Sequence, residues 1–164
     1  MPNHAAARIF ASHYQLAICD DPAAFNEASN WRSGDEQRGF AGHQRFRMVG
    51  TEAHLNDHWV EAQLSSTPPD PEPWHRITCV GLTCTTGRVH IMSVMDSEPR
   101  ITLEVPLGEY SVYVAACNLG VDQQSLGEEH ELTDDELMQR KDLEWYRIFV
   151  VHGAPLVEGR LKDV

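Results

Sequence analysis

At 164 residues, with 41% hydrophobic side chains, the chain is long enough for one sizeable core and too apolar for wholesale disorder. Its 13 Lys and Arg against 25 Asp and Glu leave a formal charge of −12, which excludes the basic stripe of a nucleic-acid binder and docking on an anionic membrane. That charge leads us to expect no direct nucleic-acid binding, and no membrane insertion is expected because no apolar run approaches the roughly 18–20 residues that cross a bilayer. The start, MPNHAAARIFASHYQLAICDD, lacks the uninterrupted apolar centre of a signal peptide, so a cytoplasmic protein is expected.

In chain order, HYQLAIC (His13–Cys19) is the first strand, and PAAFNEAS (Pro22–Ser29) offers a turn or two of helix. RFRMVG (Arg45–Gly50) and HWVEAQLS (His58–Ser65) are further strands. The Pro-rich STPPDPEP (Ser66–Pro73) is a stiff surface loop rather than a domain boundary. WHRITCVGLTC (Trp74–Cys84) and GRVHIMSV (Gly87–Val94) follow, separated by the turn TTG. RITLEV (Arg100–Val105) alternates with period two, placing Ile101, Leu103 and Val105 on a buried face. PLGEY then supplies a turn into YSVYVAAC (Tyr110–Cys117), apolar on both faces as a central strand is, so these two strands are expected to form a hairpin. WYRIFVV (Trp145–Val151) closes the series. About eight strands with turn chemistry between them predict one all-β domain over residues 1–164: an antiparallel β-sandwich with one or two short helices in its loops. Ile101, Leu103, Val105, Val112, Val114, Ile148 and Val150 are its expected core.

Between the last two strands lies a stretch of a different kind. From Asp122 to Glu144 there are nine acids and only two bases, Arg140 and Lys141, so more than half of the net charge sits in one connection. Within it, Thr133 and Glu136 have the spacing of a capping box, which predicts a short helix. A solvated loop is the ordinary reading of such charge. The functional one is that Glu128, Glu129, Glu131, Asp134, Asp135 and Glu136 face a basic protein partner, with carboxylates imitating the phosphates that partner binds.

Other chemistry is thin. Cys19, Cys79, Cys84 and Cys117 form no C-x-x-C pair and are expected to be small buried hydrophobes. His54 and His58 have helical metal-ligand spacing but no H-E-x-x-H glutamate, and are expected on the surface. Asp20-Asp21 and Asp96-Glu98 follow strands without a dense calcium-loop pattern, so ordinary turns are expected. G-x-S-x-G, P-loop and dinucleotide fingerprints are missing. No catalytic residue, metal or organic cofactor is implied.

Three stretches in order carry a resemblance: SHYQLAICDD followed by NWRSGDEQRGFA, with Trp31, Asp35, Gly39 and Phe40; HRITCVGLTCTTGRVHIMSV; and LEVPLGEYSVYVAACNLG. With EWYRIFVVHG they span residues 12–153. This arrangement resembles the competence protein J family, inhibitors of a DNA-entry nuclease. The chain departs from the family pattern in its longer connection from Gly120 to Asp142 and its short acidic tail, EGRLKDV. The resemblance implies a binding protein that inhibits a basic nuclease, or an immunity protein for a nuclease toxin, without catalysis or cofactor. The other reading is a β-sandwich with a ligand-binding or catalytic pocket between its sheets.

Overall fold

The computed structural model describes residues 3–121 and 131–164. Among these, eleven strands form two sheets. The six-stranded sheet runs in the order β1 (His4–Ala11), β5 (Asn56–Ser65), β10 (Trp145–His152), β9 (Gly108–Cys117), β6 (Arg76–Cys84), β11 (Gly159–Asp163). The five-stranded sheet runs β3 (Phe40–His43), β4 (Phe46–Gly50), β2 (Gln15–Cys19), β7 (Arg88–Met92), β8 (Ile101–Glu104). Pairing is antiparallel throughout except between β5 and β10, which lie parallel with Trp59 opposite Trp145.

All eight expected strands are present, and the three that the sequence hid are β1, β3 and β11. Each of the three is a sheet edge. An edge strand needs fewer apolar side chains because one flank pairs with nothing, and HAAARIFA, FAGH and GRLKD carry little period-two signal.

The expected hairpin between β8 and β9 does not form. β8 pairs with β7, Leu103 lying opposite Val89, while β9 is central in the other sheet between β10 and β6. The turn after β8 carries the chain from one sheet to the other. The Tyr110 hydroxyl fixes this corner by donating to the Pro106 carbonyl at 2.7 Å, and Gly108 takes φ +143°. Alternation states which face of a strand is buried, not which strand lies beside it.

The main core cluster joins residues of both sheets: Leu16, Ile18, Val49, Val89 and Ile91 from one, Ile9, Val60, Val80 and Val114 from the other. All seven expected core residues belong to it and are buried. A separate cluster of Trp74, Ile77, Ala115, Phe149 and Val151 covers the opposite face of the six-stranded sheet. This explains why β9 reads as apolar on both faces. The four cysteines are free, and Cys19, Cys79 and Cys84 are buried; burial, then the nearby Asp21 and Asp20, pushes the Cys19 thiol up to about 12.

Asp20, at the end of β2, is wholly buried rather than part of an ordinary exposed turn. Its carboxylate accepts from the backbone N–H and hydroxyl groups of Thr85 and Thr86, at 2.8–3.0 Å, and from Arg45 Nε at 2.9 Å. It thereby ties β2 to the turn between β6 and β7. Burial alone would raise its pKa, but the bonds from Thr85, Arg45 and Thr86 outweigh it and hold the carboxyl well below its ordinary value. A depressed pKa contributes stability that is complete above the unfolded carboxyl range, near pH 4, and is lost as pH falls through the folded value. Asp20→Ala, which orphans these donors, is expected to cost about 3 kcal/mol in urea unfolding at pH 7. The difference from wild type should shrink as the pH falls below about 4.

Candidate partner-binding surface

The acidic connection delivers helix α2 (Asp134–Gln139), which lies against β1 and β5 with Leu137 buried beneath it. Its expected capping box is formed. The Glu136 N–H donates to the Thr133 hydroxyl at 3.2 Å, and the Thr133 N–H donates to Glu136 Oε1 at 3.0 Å. Three acids in the first turn meet the positive end of the helix dipole, which favours them there. Arg140 caps the C-terminal end instead of extending the helix.

Of the six expected contact residues, Glu131, Asp134, Asp135 and Glu136 are exposed, and Glu128 and Glu129 lie outside the described residues. The structure brings Asp134, Asp135 and Glu136 together on one turn. Arg8 of β1 anchors this segment, donating to the Leu132 carbonyl and pairing with Asp134 at 3.4 Å. Just beyond the helix, Arg140 pairs with Asp142 at 2.9 Å, and Lys141 reaches Glu61 at 2.9 Å and lies 4.0 Å above the Trp145 ring. Burial of Glu61 is outweighed by its bonds from Arg147, Lys141 and Trp59, which hold it below its ordinary pKa.

Glu144, one of the nine acids in the charged connection, is not a surface acid at all. It is 1% exposed. Its carboxylate accepts from the N–H groups of Glu52 (3.2 Å), Ala53 (3.4 Å) and Gly120 (3.2 Å) and from the Tyr146 hydroxyl. Burial, then the Glu144 charge, pushes the Tyr146 hydroxyl well above its ordinary pKa, so it remains a donor. His58, expected on the surface, is fully buried beside this carboxylate. Its Nδ1 donates to the Glu144 carbonyl at 3.1 Å, and Nε2 lies 3.6 Å from Oε2. His58 shares the period-two phase of Val60 and Ala62, which face the core between the sheets, so its side chain points into protein rather than water. Among the described residues no cluster of three or more His, Cys, Asp or Glu is placed to hold a metal ion.

A second feature escaped the sequence. A surface cleft of about 400 Å³ is lined by His13, Tyr14, Trp31, Glu36, Gly39, Gly50, Thr51, Glu52 and Arg160. The β1–β2 connection, the loop before β3, the end of β4 and the edge strand β11 all contribute. His13, Tyr14, Trp31, Glu36 and Gly39 fall in stretches that carry the family resemblance, but nothing local shows that they share a cleft with Gly50, Thr51, Glu52 and Arg160.

Two packed sheets of mostly antiparallel strands, with an acidic helix lying on the larger one, define a mostly-β protein. The chain belongs to the competence protein J (ComJ) family, whose model matches residues 8–139. ComJ from Bacillus subtilis, an inhibitor of the DNA-degrading activity of NucA, has a similar fold, with a TM-score of 0.60 over 91% of this chain and 96% of that one, at 13% identity. The crocagin biosynthetic gene J product is similar at TM-score 0.59 and 17% identity, over the same shares of the two chains. No curated protein matches the sequence. Among the described residues no helix is long and apolar enough to cross a membrane.

Proposed function

We propose that this protein is a nuclease inhibitor, a cytoplasmic binding protein that blocks a basic DNA nuclease or nuclease toxin by direct contact. The observation that carries the reading is membership of the ComJ family, one of whose solved members inhibits a DNA-degrading enzyme. The chain is proposed to be a single β-sandwich domain, to be no enzyme itself and to need no cofactor.

Its contact surface is proposed to include Glu131, Asp134, Asp135 and Glu136, with Glu128 and Glu129 beside them. A nuclease cleft is basic because its substrate is a polyanion, and carboxylates on a capped helix offer it a competing anion. The −12 charge would steer the encounter.

The test is titration of the purified protein into plasmid cleavage by basic nucleases of the same genome. Near-stoichiometric loss of cleavage by one of them, relieved by raised salt, is the expected result. Undiminished cleavage by all of them at large inhibitor excess would sink the reading.

A further inference from the structure

The cleft beside β4 has the composition of a recognition pocket rather than a packing defect. Its floor is glycine. Gly50 ends β4 with ordinary φ, and a Cβ there would meet nothing closer than the Gly39 carbonyl at 3.5 Å and Trp31 at 3.8 Å. The Gly50 backbone therefore lies against Trp31 and the Tyr14 carbonyl at the cleft floor, with room for a methyl only in ordinary contact. Gly39 is favoured by its left-handed φ of +86°, and a Cβ there would also crowd the Arg160 side chain.

The walls are aromatic and held in place. Trp31 donates its indole N–H to Gln15 Oε1 at 2.6 Å, so its hydrogen-bonding need is already met. Tyr14 is 54% exposed, yet its ring stacks on His54 with centroids 4.6 Å apart. It sits in a two-residue turn bridged by Ser12 and Gln15, in which His13 has φ +57° and Tyr14 φ +62°. Such a turn favours Asn-Gly, and two bulky residues there carry backbone strain that a glycine would relieve. The strain places an aromatic ring at the cleft mouth.

The charges are nearly balanced, with one carboxylate left over. Arg160 pairs with Asp163 at 3.3 Å, and Arg76 with Asp163 and Glu52, both at 3.0 Å. Glu36, exposed on the short helix α1 (Asp35–Arg38), has no ion-pair partner among the described residues. Aromatic faces beside an unpaired carboxylate suit a cation.

The geometry points to this cleft as the seat of a basic side chain, an arginine or lysine of a protein partner, received by Tyr14 and Trp31 with Glu36 as counter-charge. This deepens the nuclease-inhibitor reading, on which it rests for the partner being basic. The cleft becomes an anchoring pocket, and the acids of α2 supply long-range attraction.

The test is a nuclear magnetic resonance titration with acetyl-Gly-Arg-Gly-amide. The amides of Gly39 and Gly50 and the Trp31 indole N–H should shift and saturate, while the neutral citrulline peptide should give less than about a tenth of the response. Gly50→Ala places a methyl on the floor in ordinary van der Waals contact with its neighbours, and Tyr14→Gly removes the ring while relaxing the turn. Both variants should fold as wild type and lose the response, and Glu36→Gln should weaken it severalfold. An absent response, an equal response to citrulline, or a response to the Gly-Glu-Gly peptide instead would overturn the proposal. The titration requires no nuclease. Intact inhibition with a silent cleft therefore refutes the pocket alone, and a responsive cleft without inhibition refutes only the inhibitor reading.

Discussion

Glu144→Ala is expected to lower the melting temperature by about 10 °C. Three backbone N–H groups and the Tyr146 hydroxyl lose their acceptor inside the protein, where water does not replace it. Each buried donor left unsatisfied costs about 1–3 kcal/mol before relaxation, and about 4 kcal/mol in total is a conservative sum. A domain of this length loses about 2–4 °C per kcal/mol. Glu144→Gln should fall between wild type and alanine, since one oxygen still accepts but the amide NH2 faces donors. Tyr146→Phe should cost less than either, because the three backbone bonds survive. The network also holds the segment that supplies Thr51 and Glu52 to the cleft, so Glu144→Ala should disturb the Gly50 amide as well. Differential scanning calorimetry decides the matter: melting within about 2 °C of wild type would show that the carboxylate does not organise this end of the molecule.

Neutralising Glu131, Asp134, Asp135 and Glu136 together, to Gln and Asn, is expected to slow association with an inhibited nuclease by about tenfold at low salt. The loss should fade as ionic strength rises, since screening beyond about 8 Å at physiological salt already removes long-range attraction. Dissociation should change less, because steering acts before contact. Folding should be nearly unaffected. Leu137 still anchors α2, glutamine serves as well as glutamate at the third position of a capping box, and the exposed pair of Asp134 with Arg8 contributes little. The matched control is Glu27, Glu72, Glu98 and Glu104, which form no ion pairs among the described residues. Glu61 is unsuitable because it binds Trp59, Lys141 and Arg147, and Asp57 because it is buried. Stopped-flow association rates that fall alike for both sets would assign the effect to net charge, and α2 would then be an ordinary solvated face.

The features legible in the sequence are those set by neighbours along the chain. Period-two alternation placed Ile101, Leu103 and Val105 on a buried face, because side chains of any strand alternate whatever lies beside it. Thr133 and Glu136 marked the start of α2 because a capping box closes within four residues. The resemblance to the ComJ family was readable in the same way, as ordered stretches along the chain. What only the tertiary structure decided is pairing and environment. β8 and β9 are adjacent in sequence yet lie in different sheets, since strand partners are chosen by the whole set of buried faces. Glu144 and Asp142 are both acids at the end of one charged run. One is buried under four donors and the other pairs in solvent with Arg140; three of the four donors to Glu144 come from Glu52, Ala53 and Gly120, far from it along the chain, so its burial is set by packing. The cleft is the extreme case. Its wall and floor come from residues 13 to 160, and its chemistry exists only because folding brings Tyr14, Trp31, Glu36 and Gly50 to one place. Local propensity reports the shape of a segment, whereas a site depends on distances between segments, and those are set when the two sheets close on a common core.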